Sequence, residues 1–270
     1  MPPNAPAEAH ARQVIWRFLL ARRAEAGRRR FYLVSYPRSG STLVRSYFAI
    51  LQGAPQLSVY ADDFVAANGA ALAPALADID LVKSHELPPG DDPIVYLVRD
   101  GRNATLSHLQ MTALFDGHGF WRLGEVREAI KWLDDHEGSW TAHVAAALAQ
   151  RRHRPVLVVR YEDLVAAPAR ALAQIIGFMD ADVAPEALSA AVARHRQADR
   201  YADNPYNGFR HTPPEGSIFA LLQKHRRGAY WRHILDAPSR RYLHEAGATE
   251  FLLQFGFEPS ADWWRSDREV

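Results

Sequence analysis

The octet Ser35-Tyr36-Pro37-Arg38-Ser39-Gly40-Ser41-Thr42 carries the first chemistry that the chain offers. Gly40 permits close backbone approach, Ser39, Ser41 and Thr42 bring hydroxyl donors, and Arg38 brings a permanent forked cation. A loop of this kind before a helix holds an anion, because the unpaired N–H groups of the helix N-terminus add to its donors. A triphosphate-binding loop would need a glycine five residues before Gly40 and a lysine next to a Ser or Thr after it, and Ser35 and Ser41 stand there instead. The competing reading is a serine-rich turn that caps a buried helix.

A second segment, Ile94 to Ser107, repeats the pattern, with Arg99 closing an apolar run. A helix starting near Asn103 puts Ser107 about one turn in, so that Arg99 and Ser107 could grip one anion, a second phosphate site. An ion pair of Arg99 with Asp100 or Glu162 is its alternative use. His85 follows an apolar run that ends at Lys83, and an imidazole near its ordinary pKa takes a proton at neutral pH, which makes it the candidate general base. The chain has 12 histidines, so only the setting Lys83-Ser84-His85-Glu86-Leu87-Pro88 singles this one out. Lys83, two residues before it, reads as a cation serving the same site or as half of a structural ion pair. Asp134-Asp135-His136 and His143 have metal-ligand types, but they read as a solvated helix face, and no metal site is assigned.

These residues need a frame. Short apolar runs predict strands over Phe31–Tyr36, Ile79–Lys83, Ile94–Arg99 and Pro155–Arg160, with a helical pattern over Thr42–Leu51. Strands alternating with helices predict an α/β fold, a central parallel sheet flanked by helices on both faces. Val14, Ile15, Phe18 and Leu19 predict an N-terminal amphipathic helix over residues 1–30, with Arg28-Arg29-Arg30 as its solvated end. Alanine-rich stretches 66–77 and 142–149 are expected to be helical, and Arg196–Glu215 an irregular loop. The organisation is read as a single domain: the N-terminal helix, a main body over 31–260, and a C-terminal tail over 261–270.

Composition restricts the partners. Of 270 residues 48% are apolar, enough for one large core. Lys plus Arg number 32 against 31 Asp plus Glu, so a net charge of +1 gives no global reason to expect nucleic acid. Without cysteine there is no disulfide, thiolate metal site or thiol nucleophile. No apolar stretch approaches the ~20 residues of a membrane helix, so a cytoplasmic protein without membrane insertion is expected.

Tyr36-Pro-Arg-Ser-Gly-Ser-Thr42 and Val98-Arg-Asp-Gly-Arg-Asn-Ala-Thr-Leu-Ser107 resemble the two signatures with which cytosolic-type sulfotransferases bind 3′-phosphoadenosine 5′-phosphosulfate (PAPS). Lys83-Ser84-His85-Glu86-Leu87-Pro88 resembles the Lys-Thr-His-Leu-Pro segment of that family, and Val159 to Leu164 its Tyr-Glu-Asp segment. Arg226-Arg227-Gly228 with Trp231-Arg232 resembles its late basic elements, and the matches keep family order from about Tyr32 to Leu235. The resemblance implies a nucleotide-kinase-like, P-loop-type sheet and transfer of a sulfuryl group from PAPS to a hydroxyl or amine, giving 3′,5′-ADP. It implies Arg38 and Ser39 to Thr42 on the 5′-phosphosulfate, Arg99, Ser107 and Arg226-Arg227-Gly228 on the 3′-phosphate, and Tyr161 near the adenine. His85, Arg38 and Lys83 are then the catalytic set, and no metal is required.

Two positions depart from the family pattern. Arg38 stands where lysine is usual, so charge stabilisation is kept while proton donation is lost. Leu43 stands where a tryptophan can stack on adenine. The acceptor, a small molecule or a glycan, would meet loops over Val59–Asn68, Leu114–Trp121 and Tyr201–Phe219. The rival functions are a small-molecule kinase using Mg-ATP and a nucleotide-binding protein without catalysis.

Overall fold

The structure, a computed structural model, describes residues 14, 18, 27–60, 65, 69–115, 123–197 and 229–265. Strand β1 (Arg29–Ser35) leads to helix α1 (Ser41–Gln52), followed by β2 (Ile79–Ser84), β3 (Ile94–Val98) and α2 (Gly101–Phe115). Helices α3 (Val126–Glu137) and α4 (Trp140–Ala149) precede β4 (Val156–Arg160), α5 (Tyr161–Ala166), α6 (Pro168–Phe178) and α7 (Pro185–Gln197). After Tyr230–His233, a 3₁₀ turn, come α8 (Ala237–Glu245) and α9 (Ala248–Gln254). Every strand expected from the sequence is present, with ends that differ by no more than two residues.

The chain divides into two compact units. The first comprises Met1–Ser35, Ser39–Val98 and Ala147–Arg200 and contains the whole sheet, whose order is β2-β1-β3-β4 with every pairing parallel. Successive residues Phe31 to Ser35 are all buried, as expected of strands that read as continuous apolar runs without alternation. Phe31 and Leu33 of β1 share a core with Val44, Phe48 and Leu51 of α1, Leu172 and Ile175 of α6, and Leu188 of α7. The register sets Val34 opposite Ser84, so the chain leaves β1 and β2 at one edge. In parallel α/β sheets that carboxyl edge is where ligands bind.

The second unit comprises Tyr36–Arg38, Arg99–Ala146 and Tyr201–Val270. Its centre is a buried guanidinium. Arg102 donates to both carboxylate oxygens of Asp100 and pairs with Glu258, and its Cζ lies 3.8 Å from the Trp231 ring centroid and 4.8 Å from that of Trp263. Trp263, in the segment read as a tail, is thus part of this core. Gly101 is required here, since a Cβ would run into the Trp140 ring.

Two local expectations change. Arg28-Arg29-Arg30 is not a solvated helix end: Arg29 and Arg30 open β1, Arg28 pairs with Asp80 at 2.7 Å and Arg29 with Asp78 at 3.1 Å, and Arg30 is buried. The cause is the carboxylates beside β2, which neutralise the basic run once the strands pair. The alanine-rich stretch also lacks an α-helix over its described part, 69–77, where Gly69 sits at φ 85° and Pro74–Leu76 forms only a 3₁₀ turn. The other stretch, 142–149, lies within α4 as expected. Of the N-terminal helix expected over 1–30, the described residues are Val14 and Phe18, helical and exposed, and 27–30, which are not helical.

Candidate active site

In the first unit, Gly40 is the N-cap residue of α1, at φ 102° and ψ 14°, and no side chain caps the helix. Only glycine takes this conformation freely, and a Cβ there would come within 2.5 Å of the Tyr161 ring. The Oγ atoms of Ser35 and Ser39 are buried and have no hydrogen-bond partner among the described residues. Buried hydroxyls are normally satisfied. An uncapped helix N-terminus beside a spare buried hydroxyl fits an anion with several acceptor oxygens, such as a phosphosulfate. Ser41 is buried and Thr42 exposed, while Leu43 is half-buried.

At the neighbouring strand end, Ser84 Oγ donates to the Glu86 carbonyl at 2.7 Å and accepts from the Glu86 N–H at 2.9 Å, fixing the turn that carries His85. His85 Nδ1 lies 2.7 Å from the Ser35 carbonyl oxygen. A carbonyl only accepts, so Nδ1 carries the proton, and in the neutral ring the lone pair is on Nε2. That is the form a general base requires. Tyr60, which the sequence did not single out, accepts from the His85 backbone N–H at 3.1 Å, and its ring centroid is 5.7 Å from that of the imidazole. Lys83 Nζ stands 4.7 Å from the Tyr60 ring centroid, a cation–π contact.

In the second unit, Arg38 adopts the left-handed region at φ 66°. Its Nε donates to Ser107 Oγ at 3.1 Å. Arg99 donates through NH1 to the Arg38 carbonyl at 2.8 Å and through NH2 to the Tyr230 hydroxyl at 3.3 Å. The sequence assigned Arg38 to one end of the donor and Arg99 with Ser107 to the other; the structure gathers all three. Helix α2 begins at Gly101 rather than Asn103, and the Arg102 N–H donates to Asp100 Oδ1 at 3.0 Å. This helix start already has its own carboxylate, so an anion here depends on the side chains of Arg99 and Ser107.

Beneath Arg38, Tyr36 is buried edge-on to His108 and His143, and its hydroxyl lies 3.2 Å from His108 Nδ1. Burial, aided by the Arg38 charge, lowers the His108 pKa to about 4, so the ring is neutral at physiological pH. Asp134 is no freely solvated carboxylate: burial raises its pKa to about 6, against the bond it accepts from Tyr242 at 3.1 Å. Among the described residues no group of three or more His, Asp or Glu stands in metal-binding array. Arg226, Arg227 and Gly228 lie outside the described residues, as do most of the three acceptor loops. Among the described residues no helix is long and apolar enough to cross a membrane.

A parallel sheet whose carboxyl edge carries an uncapped, glycine-led helix start defines an α/β protein of the P-loop-like class. The sulfotransferase domain family model matches residues 28–246. Sulfotransferase 1B1 of Canis lupus familiaris is 22% identical over 254 residues, covering 84% of this chain and 82% of that protein. Sulfotransferase 1B1 of Mus musculus is 28% identical over 161 residues, or 58% of this chain and 51% of that protein. Mouse sulfotransferase SULT7A1, solved in complex with PAP, superposes with a TM-score of 0.55 at 15% identity, covering 88% of this chain and 87% of the other, which shows a shared fold. The chain belongs to the sulfotransferase domain family and is an enzyme of that transferase class. The Mg-ATP kinase and the non-catalytic nucleotide binder are thereby set aside.

Proposed function

We propose that the protein transfers the sulfuryl group of PAPS to a hydroxyl or amine of a small-molecule or glycan acceptor, releasing 3′,5′-ADP. The observation that carries the reading is the bond from His85 Nδ1–H to the Ser35 carbonyl, which leaves Nε2 as the basic atom of the neutral ring at the sheet edge. A protein that only held a nucleotide would have no use for an oriented base there.

Each residue then has a task. His85 Nε2 takes the acceptor's proton as its oxygen or nitrogen attacks sulfur. Arg38 and the N–H groups and hydroxyls of Ser39 to Thr42 stabilise the negative charge that grows on the leaving phosphate oxygen. Because guanidinium stays protonated, Arg38 acts through charge rather than as an acid. Lys83 is held by Tyr60 as a second cation for the transferring group. Arg99 and Ser107, with the Arg226-Arg227-Gly228 segment, bind the 3′-phosphate, and Tyr161, whose ring covers Gly40, borders the adenine. The relatives' sulfotransferase names and the PAP complex of SULT7A1 support the choice of donor.

Calorimetric titration with 3′,5′-ADP, 5′-AMP and ATP, each with and without Mg²⁺, tests the donor. Binding that requires the 3′-phosphate and is indifferent to Mg²⁺ is expected; preference for Mg-ATP would overturn the reading. Transfer of radiolabelled sulfate from PAPS across a panel of phenols, aliphatic alcohols, amines and oligosaccharides then identifies the acceptor class.

A further inference from the structure

Tyr230 belongs to none of the motifs read from the sequence, yet it is buried against Arg99 at the first residue of its 3₁₀ turn. Its hydroxyl donates to the Asn103 carbonyl at 2.5 Å. That bond commits the single hydroxyl hydrogen, so toward Arg99 NH2, 3.3 Å away, the phenolic oxygen can only accept. Arg99 Cζ also lies 5.9 Å from the Tyr230 ring centroid. On the other side, Arg99 NH1 donates to the Arg38 carbonyl at 2.8 Å. The guanidinium is therefore restrained at both terminal nitrogens, and two of its five N–H donors are used in doing so.

The anchor under Tyr230 is firm. Asn103 Oδ1 accepts from the Trp231 backbone N–H at 3.3 Å, so one asparagine holds the turn through both its main chain and its side chain. The Asn103 carbonyl is also the intrahelical acceptor for the amide four residues on, that of Ser107. One oxygen thus ties the Tyr230 hydroxyl to the helical turn that presents Ser107, whose own hydroxyl accepts from Arg38.

We infer that Tyr230 is a positioning residue that orients the Arg99 guanidinium, and that it thereby sets the preference of this enzyme for a nucleotide bearing a 3′-phosphate. The inference rests on the donor reading proposed above. Tyr230 need not touch the nucleotide: it reduces the freedom Arg99 loses on binding, as a preorganised donor does.

Calorimetry on the full chain, with 3′,5′-ADP and 5′-AMP as probes, tests it through Tyr230→Phe, Arg99→Gln and the double variant. Tyr230→Phe is expected to weaken 3′,5′-ADP about three- to tenfold, the worth of one hydrogen bond to a charged or neutral partner, and to leave 5′-AMP unchanged. The loss should vanish in the Arg99→Gln background, because the two residues act as one unit. An unchanged ratio of the two affinities, equal weakening of both nucleotides, or the same loss without Arg99 would each overturn the inference. Failure of the wild type to prefer 3′,5′-ADP would overturn the donor reading itself, a different result. Should Tyr230→Phe unfold, the wild type still decides: arginine-selective ¹⁵N spectra, with Arg99 assigned by its disappearance in Arg99→Gln, should show hindered guanidinium rotation. Free rotation would refute the restraint.

Discussion

The two strand-to-helix loops look alike in sequence and differ in what they leave unspent. After β1, helix α1 starts without a side-chain cap and the Ser39 hydroxyl has no partner among the described residues, while the Ser35 carbonyl fixes the tautomer of His85 beyond the end of β2. After β3, polar groups are committed to one another: Asp100 takes the N–H of the second helical residue, Arg102, and binds its guanidinium, Arg102 binds Glu258 between two tryptophans, and Tyr230 is seated on Asn103. In the proposed reaction the first loop supplies donors to the reacting group. The second uses its network to hold two cations still. A loop that must stabilise changing charge needs free donors, whereas one that recognises a permanent charge gains from rigidity.

The sharpest test of the contrast is His85→Ala, which should lower kcat by roughly 10²–10⁴, about 3–5 kcal/mol of barrier, with 3′,5′-ADP affinity unchanged by calorimetry. Near-normal turnover would remove His85 as the base. Asp100→Ala should act on the fold instead, costing about 3–5 kcal/mol in urea unfolding, because it strips a cap and leaves buried Arg102 with one carboxylate fewer. If stability barely moved, the second loop would not be the rigid one.

The His108 titration gives a pH signature of comparable or slightly smaller size. Its folded pKa of about 4 lies below the ordinary 6.5, so the unfolded chain binds the extra proton more readily as pH falls between those values. Wild-type stability should therefore decline from pH 6.5 to 4 by about 3 kcal/mol more than that of His108→Asn. Asp134, with its pKa raised to about 6, has the opposite slope, contributing stability as pH falls through that range, so the difference between proteins rather than either curve isolates His108. Parallel curves would place His108 in water. The smallest effect is at Ser39→Ala, which should leave stability within about 0.5 kcal/mol, since no protein bond is lost, yet weaken 3′,5′-ADP several-fold, by about 1 kcal/mol. A large stability loss with unchanged affinity would reverse the assignment.

The amino-acid sequence by itself determined the four strands, the glycine-led turn before α1 and the order of the motifs. Those features are local: a short run of mostly apolar strand formers, such as Phe31–Val34 or Ile94–Val98, or a conformation open only to glycine, is legible within a short window. Tertiary structure decided the rest. Arg29 and Arg30 became strand, and Arg28 an ion-paired lead-in, because Asp78 and Asp80 lie some fifty positions away along the chain yet beside them once β1 and β2 pair. The tautomer of His85 comes from a carbonyl 50 residues earlier, and the restraint on Arg99 from a tyrosine 131 residues later. Such partners are chosen by sheet register and helix placement, which bring together groups that no local pattern in the sequence connects.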